Sequence, residues 1–116
     1  MMSDTRRPLR LAIVGVGAVA EMRYLPAAAR MPGVEVTHVV DLDADRASAV
    51  AAQHSIGNAE SDLAAVLGHI DAAIVATPPS SHASITIDCL NAGVHVLCEK
   101  PMTATTDDAE RMVAAA

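Results

Sequence analysis

The chain has 116 residues, the size of one modest domain. It carries 14 acidic against 8 basic side chains, a net charge of −6, and no lysine–arginine stripe, which argues against nucleic acid or an anionic membrane as partner. Hydrophobic residues make up 52%, yet there is no Phe, no Trp and one Tyr, so Ala, Val, Leu and Ile must build the core by close packing of short side chains.

Met1 to Pro8 reads as a polar, mobile tail (residues 1–8) ahead of a single domain over 9–116. The apolar run Leu9, Leu11 to Val14 has the pattern of a buried strand. It breaks at Gly15-Val16-Gly17, and a helix starts at Ala18. Pro26 suits a new first turn, so the spacing predicts a kink or boundary at Tyr24-Leu25, helix again over Ala27 to Met31, and a stop at Pro32-Gly33. A second strand, Val34 to Val40, ends in Asp41. Asp43 is a fair N-cap for a helix from Ala44 to about His54, with Ala47, Val50, Ala51 and His54 on one face. Gly57-Asn58 signals a turn near a short third strand within Ile56 to Glu60. Ser61 or Asp62 then caps a short helix through Leu67.

Asp71 to Ala76 reads as a fourth strand buried on both faces, ended by Thr77-Pro78-Pro79. Ser80 or Ser81 caps a helix to about Ala92, with Ala83, Ile87 and Leu90 as its stripe and Ile85 and Cys89 beside it. Asn91-Ala92-Gly93 is its stop signal. Val94 to Cys98 is the fifth strand, followed by the loop Glu99-Lys100-Pro101. Thr105 opens a last helix, with Asp108 three residues on as a capping-box-like partner. Strands alternate with helices throughout, which predicts a doubly wound, mostly parallel α/β sheet of about five strands with helices on both faces.

In such a sheet ligands bind outside the carboxyl ends of the strands. The loops there are Gly15 to Gly17, Asp41 to Asp43, Thr77 to Ser81 and Glu99 to Met102. The first reads as a dinucleotide fingerprint. Gly15 allows the tight turn, Gly17 lets a pyrophosphate approach the backbone, and Ala20 lets helix and strand pack closely. The N–H groups of Val16, Ala18 and Val19 surround the helix start, whose dipole favours phosphate. Asp41 follows Ala20 by about twenty residues, where a carboxylate accepts hydrogen bonds from both ribose hydroxyls of NAD and repels the 2′-phosphate of NADP. Arg46, on the next helix, is the residue that could relax this preference. Thr77-Pro78 forms a short, stiff loop, and His82 lies in the first turn of the helix behind it, more in keeping with a structural part than a catalytic one. Lys100 stands where an ammonium could meet a substrate hydroxyl or the cofactor ribose, with Glu99 to orient it and Pro101 to fix the backbone, a cis peptide at Lys100-Pro101 being the expectation.

Three other features are set aside. Arg6-Arg7 before an apolar run ending Ala18-Val19-Ala20 imitates an export signal, but cleavage after Ala20 would delete the first strand. Cys89 and Cys98 form no C-x-x-C pair and read as reduced thiols of a cytoplasmic protein. His38, His54, His69, His82 and His95 are scattered, and no metal site is expected.

Taken in order, G-V-G-A-V-A, Asp41, A-T-P-P-S-S-H and C-E-K-P-M resemble the Gfo/Idh/MocA oxidoreductases over nearly the whole chain from Leu9. The resemblance implies a Rossmann domain holding NAD, with NADP the lesser candidate, on Gly15, Gly17 and Ala20 and on Asp41. It implies that Thr77, Pro78 and His82 belong to the cofactor-side loop and that Lys100 contacts substrate or ribose as the catalytic lysine. It also implies hydride transfer to or from a sugar- or polyol-type hydroxyl. Family members continue into a second domain that shapes the substrate pocket, and that domain is not in this sequence. The rival readings are a binding module without chemistry (a sensor or truncated remnant), half of a two-chain enzyme, and half of an NAD-assisted hydrolase. An apolar fifth strand at an unprotected edge would invite self-association.

Overall fold

The computed structural model describes residues 7–100 and 105–116. Most of the tail, together with Pro101 and Met102 and hence the peptide at Lys100–Pro101, lies outside the described residues. Five strands form one sheet: β1 (Leu9–Val14), β2 (Val34–Val40), β3 (Asn58–Glu60), β4 (Ala72–Val75) and β5 (His95–Cys98). Their order is β3-β2-β1-β4-β5 and all pairings are parallel. The helices are α1 (Leu25–Ala29), α2 (Ala44–Gln53), α3 (Pro79–Asn91) and α4 (Thr106–Ala115).

Side chains of a strand alternate between faces, so β1 feeds two cores. Leu11 and Ile13 pack with Val39 against Leu25 and Ala28 of α1 and Ala47, Val50 and Ala51 of α2. Ala12 and Val14 pack with Val40 and Ala73 against Val66, Ile70 and Cys89 on the other face. The sheet is thus covered on both sides, as the alternation predicts. Burial of the Cys89 thiol pushes its pKa up to about 11, which keeps it protonated and inert. β5 closes the described sheet on one side, and Leu97 on it is 58% exposed.

Local structure departs from the expectations in three places. The boundary expected at Tyr24-Leu25 is present, with Pro26 in the first turn of α1, but it is a change of helix type and not a break. A π-helical turn, Ala20–Tyr24, runs directly into α1, with Leu25 N–H donating to the Ala20 carbonyl. Pro26 has no N–H and crowds the carbonyl four residues back, and a widened turn absorbs both faults without ending the helix. Between Glu60 and Ile70 there is no α-helix but two 3₁₀ turns, Leu63–Ala65 and Leu67–His69, the first capped by Asp62, which accepts the Ala64 N–H at 3.0 Å.

In α3 the cap expected at Ser80 or Ser81 is absent. The helix starts at Pro79, which fits a first-turn position because its missing N–H would have no helical partner, and both serines fall inside the first turn. The buried stripe of α3 is His82, Ala83, Thr86 and Cys89, while Ile87 and Leu90 are half-buried. A stripe drawn through the apolar residues misplaces it because two polar side chains face the sheet. The other caps stand as expected: Asp43 accepts from Arg46 N–H, Thr105 from Asp108 N–H, and Gly93 takes φ +78 after α3. Among the described residues no helix is long and apolar enough to cross a membrane.

Candidate functional site at the carboxyl edge

The strand order reverses between β1 and β4, and the loops after these strands meet there. Main-chain bonds stitch the carboxyl edge into one rim. Asp41 N–H donates to the Glu60 carbonyl at 3.0 Å, Gly15 to Val40 at 2.7 Å, Ala76 to Val14 at 2.8 Å and Glu99 to Val75 at 2.9 Å. Every loop named from the sequence begins on this rim.

The two glycines of the fingerprint do different work. Gly15 has φ +90, and a Cβ there would lie 2.8 Å from both the amide nitrogen and Cγ2 of Thr77. It is required by the fold, because the β4–α3 loop presses against it. Gly17 is exposed, and a Cβ there would meet nothing within 4 Å. The open space over Gly17 is where a ligand can reach the backbone. The first helical bond, Glu21 N–H to the Gly17 carbonyl at 3.2 Å, leaves the N–H groups of Ala18, Val19 and Ala20 without a helical partner. These donors, the helix dipole and the bare Gly17 backbone form a cradle suited to a pyrophosphate. The residues present therefore fit a dinucleotide.

Asp41 stands beside that cradle. Its Oδ2 accepts the N–H of Val16 at 3.0 Å and its Oδ1 the N–H of Asp43 at 3.0 Å. The carboxylate holds the glycine loop in shape and stays half-exposed at the end of β2. Arg46 approaches the same loop, its Nε donating to the Val16 carbonyl at 2.9 Å. Its guanidinium also pairs with Glu21, and His54 Nε2 lies 3.6 Å from the second oxygen of Glu21.

The Thr77 loop is stiffened from within. Ser81 Oγ bonds Thr77 Oγ1 at 2.8 Å and the Pro78 carbonyl at 2.9 Å, and His82 Nε2 meets the Thr77 carbonyl at 2.5 Å. The imidazole of His82 is fully buried, so it holds the loop from below and Pro78 forms the exposed rim.

Glu99 and Lys100 follow β5. The Glu99 carboxylate accepts the hydroxyl of Tyr24 and, at 3.3 Å, the backbone N–H of Lys100. Glu99 therefore orients Lys100 through the main chain, and its principal side-chain partner is Tyr24. That hydroxyl holds the Glu99 carboxyl below the usual carboxylate range, and the carboxylate in turn raises the Tyr24 phenol. Lys100 is exposed on the rim. Tyr24 ends the π turn that begins at Ala20, so one helix carries both the phosphate cradle and the clamp on the Lys100 loop. No local pattern pairs Tyr24 with Glu99 across the chain, whereas the place of Arg46 in the first turn of α2 was a usable signal. Among the described residues no cluster of His, Cys, Asp or Glu could hold a metal ion.

A parallel sheet whose switch point carries a bare glycine loop, free helix-start donors and a strand-end aspartate defines a dinucleotide-binding α/β domain. Residues 9–116 match the Gfo/Idh/MocA oxidoreductase family, NAD-binding Rossmann fold, and the chain belongs to this family. It is 36% identical over 110 residues to scyllo-inositol 2-dehydrogenase (NADP(+)) of Bacillus subtilis, covering 93% of this chain and 33% of that protein. Over 107 residues it is 35% identical to 4-carboxy-2-hydroxymuconate-6-semialdehyde dehydrogenase of Sphingobium, covering 90% and 34%. Among solved structures it resembles a 3-ketoreductase from Actinomadura kijaniata in complex with TDP-benzene and NADP, with a TM-score of 0.85, 34% identity, and 94% and 35% of the two chains covered. It also resembles the WlbA dehydrogenase from Bordetella pertussis in complex with NADH and UDP-GlcNAcA, with a TM-score of 0.86, 30% identity, and coverage of 94% and 34%. The chain spans about a third of the length of the curated relatives it matches.

Proposed function

We propose that this domain binds NAD at the carboxyl edge and is the cofactor half of an oxidoreductase acting on a sugar- or polyol-type hydroxyl. The observation that carries the reading is the open backbone at Gly17 beside the unpartnered N–H groups of Ala18 to Ala20. Gly15 and Val16 shape the loop, Gly17, Ala18 and Val19 hold the pyrophosphate, and Asp41 takes the ribose hydroxyls. Thr77 and Pro78 border the nicotinamide side with His82 beneath them. When bound, the nicotinamide supplies or accepts the hydride. The exposed ammonium of Lys100 contacts the substrate oxygen or the cofactor ribose and steadies negative charge developing on that oxygen, with Glu99 fixing its backbone. Asp41 favours NAD over NADP. The relatives' dinucleotides support both members of the class, since their names cite NADH in one case and NADP in others.

Cys89 and Cys98 are not joined in a disulfide, in keeping with a cytoplasmic protein. The exposed Leu97 on the outermost described strand supports self-association, which light scattering across a concentration series would register.

Calorimetric titration of the purified chain with NAD and with NADP tests the reading. Saturable binding with NAD preferred is the expected result. No heat with either dinucleotide, from a chain shown to be folded by circular dichroism, overturns it.

A further inference from the structure

We infer that Glu21 governs the dinucleotide preference of this chain by holding Arg46 away from an incoming 2′-phosphate. The inference rests on the cofactor reading above and deepens it by naming a specificity residue behind Asp41.

Two opposite charges grip one residue of the glycine loop. Asp41 accepts the N–H of Val16 at 3.0 Å, and Arg46 Nε donates to its carbonyl at 2.9 Å. The Val16 side chain is fully buried, which anchors that residue. A carboxylate that suits a ribose diol and a guanidinium that suits a 2′-phosphate therefore stand on the same short piece of backbone. Glu21 decides what the guanidinium is free to do. Its Oε1 takes Arg46 Nη2, while its Oε2 faces His54 at 3.6 Å.

The pair lies at the surface, with the Arg46 side chain 39% exposed and that of Glu21 29%, so a ligand can reach it. A 2′-phosphate carries nearly two negative charges and three acceptor oxygens, and it competes well for a guanidinium that is free. Here it must first displace a carboxylate already in place and then tolerate Asp41. NAD needs neither. Glu21 also stands close to the helix start that would hold the pyrophosphate, but any repulsion there acts on both dinucleotides and cancels in their ratio.

The test is calorimetric titration of the parent chain, Glu21→Gln, Glu21→Ala, Arg46→Ala and the double variant Glu21→Gln/Arg46→Ala with NAD and NADP, with folding checked by circular dichroism. The quantity read is the ratio of the two dissociation constants. Removing the Glu21 charge should move the ratio toward NADP by about tenfold, the worth of one charge-assisted pair. The two Glu21 variants should agree, so misfolding of one leaves the other to decide. The double variant should lose the gain. A ratio within about twofold of the parent in a Glu21 variant that binds dinucleotide overturns the inference alone. So does a gain that survives in the double variant, because Arg46 would not be the conduit. A folded parent chain that binds neither dinucleotide overturns the cofactor reading and the inference with it.

Discussion

Each end of the sheet is organised by one aspartate, and the two are used in opposite ways. At the amino edge Asp71 is saturated. Arg7 forks onto it with contacts of 2.8 and 3.1 Å, Arg10 adds its backbone N–H at 2.8 Å, and the Arg10 guanidinium reaches both oxygens. Main-chain bonds from Asp71 N–H to the Arg10 carbonyl and from His95 N–H to the Asp71 carbonyl complete a lock on β1, β4 and β5. At the carboxyl edge Asp41 accepts two main-chain N–H groups and sits beside open backbone. A carboxylate neutralised by two guanidinium groups closes a structure. One that only shapes a loop keeps acceptor capacity for a ligand. The comparison teaches that a broad hollow need not be the site: a depression at the amino edge, lined by Arg7, Gly33, Asp71, Gly93 and His95, has its central charges already paired.

Several changes would break or sharpen this contrast. The largest effect is expected at Gly15. Gly15→Ala puts a Cβ 2.8 Å from the Thr77 backbone at φ +90, and should cost about 3 kcal/mol or more of stability, read as a lowered denaturant midpoint. The Cβ of Gly17→Val meets no neighbour within 4 Å, so the fold should persist while NAD affinity falls by about a hundredfold or more, as two lost phosphate contacts would require. Loss of stability in this variant with binding retained would reverse the roles given to the two glycines.

The aspartates separate next. Asp41→Ala should weaken NAD by about tenfold and narrow its advantage over NADP. An unchanged ratio would remove Asp41 from the ribose. Asp71→Asn should leave both affinities alone and lower stability at neutral pH. The Arg7 and Arg10 guanidinium groups hold the Asp71 carboxyl well below its ordinary range. Its stabilising effect is therefore fully present above the unfolded-state pKa of about 3.9 and is lost as pH falls below that toward the depressed folded value. The gap in denaturation midpoint between parent and variant should stay constant near neutrality and shrink on acidification below about pH 4. The smallest effect is spectroscopic. Tyr24 is the only tyrosine in the chain, so phenolate absorbance reports one group. Its pKa should lie above the ordinary 10.0, and Glu99→Gln should bring it back toward that value.

Much of this architecture is legible in the residues themselves. β2 runs over Val34–Val40 as its apolar pattern predicts, and the Gly15–Gly17 break and Asp41 mark the rim because strands buried on both faces leave long apolar runs with abrupt ends. What escaped was set by contacts distant in sequence or by backbone geometry with no compositional sign. The boundary at Tyr24-Leu25 takes the form of a π turn because the chain absorbs Pro26 while Tyr24 reaches Glu99, 75 residues away. Glu21 sits on one helix and Arg46 on another, and their pairing depends on Arg46 reaching across to the glycine loop, where its Nε bonds the Val16 carbonyl. In α3 the buried face is partly polar, so hydrophobic spacing points a little to one side of it.

The most direct measurement is an amide chemical-shift map of the chain during titration with NAD, because it reports where binding occurs and not only whether it does. The account predicts that the shifts concentrate at Val16 to Ala20, Asp41, Thr77 and Glu99 to Lys100, with Arg7, Asp71, Gly93 and His95 unmoved. Shifts gathered instead at the amino edge, with Gly17 and Asp41 undisturbed, would contradict it.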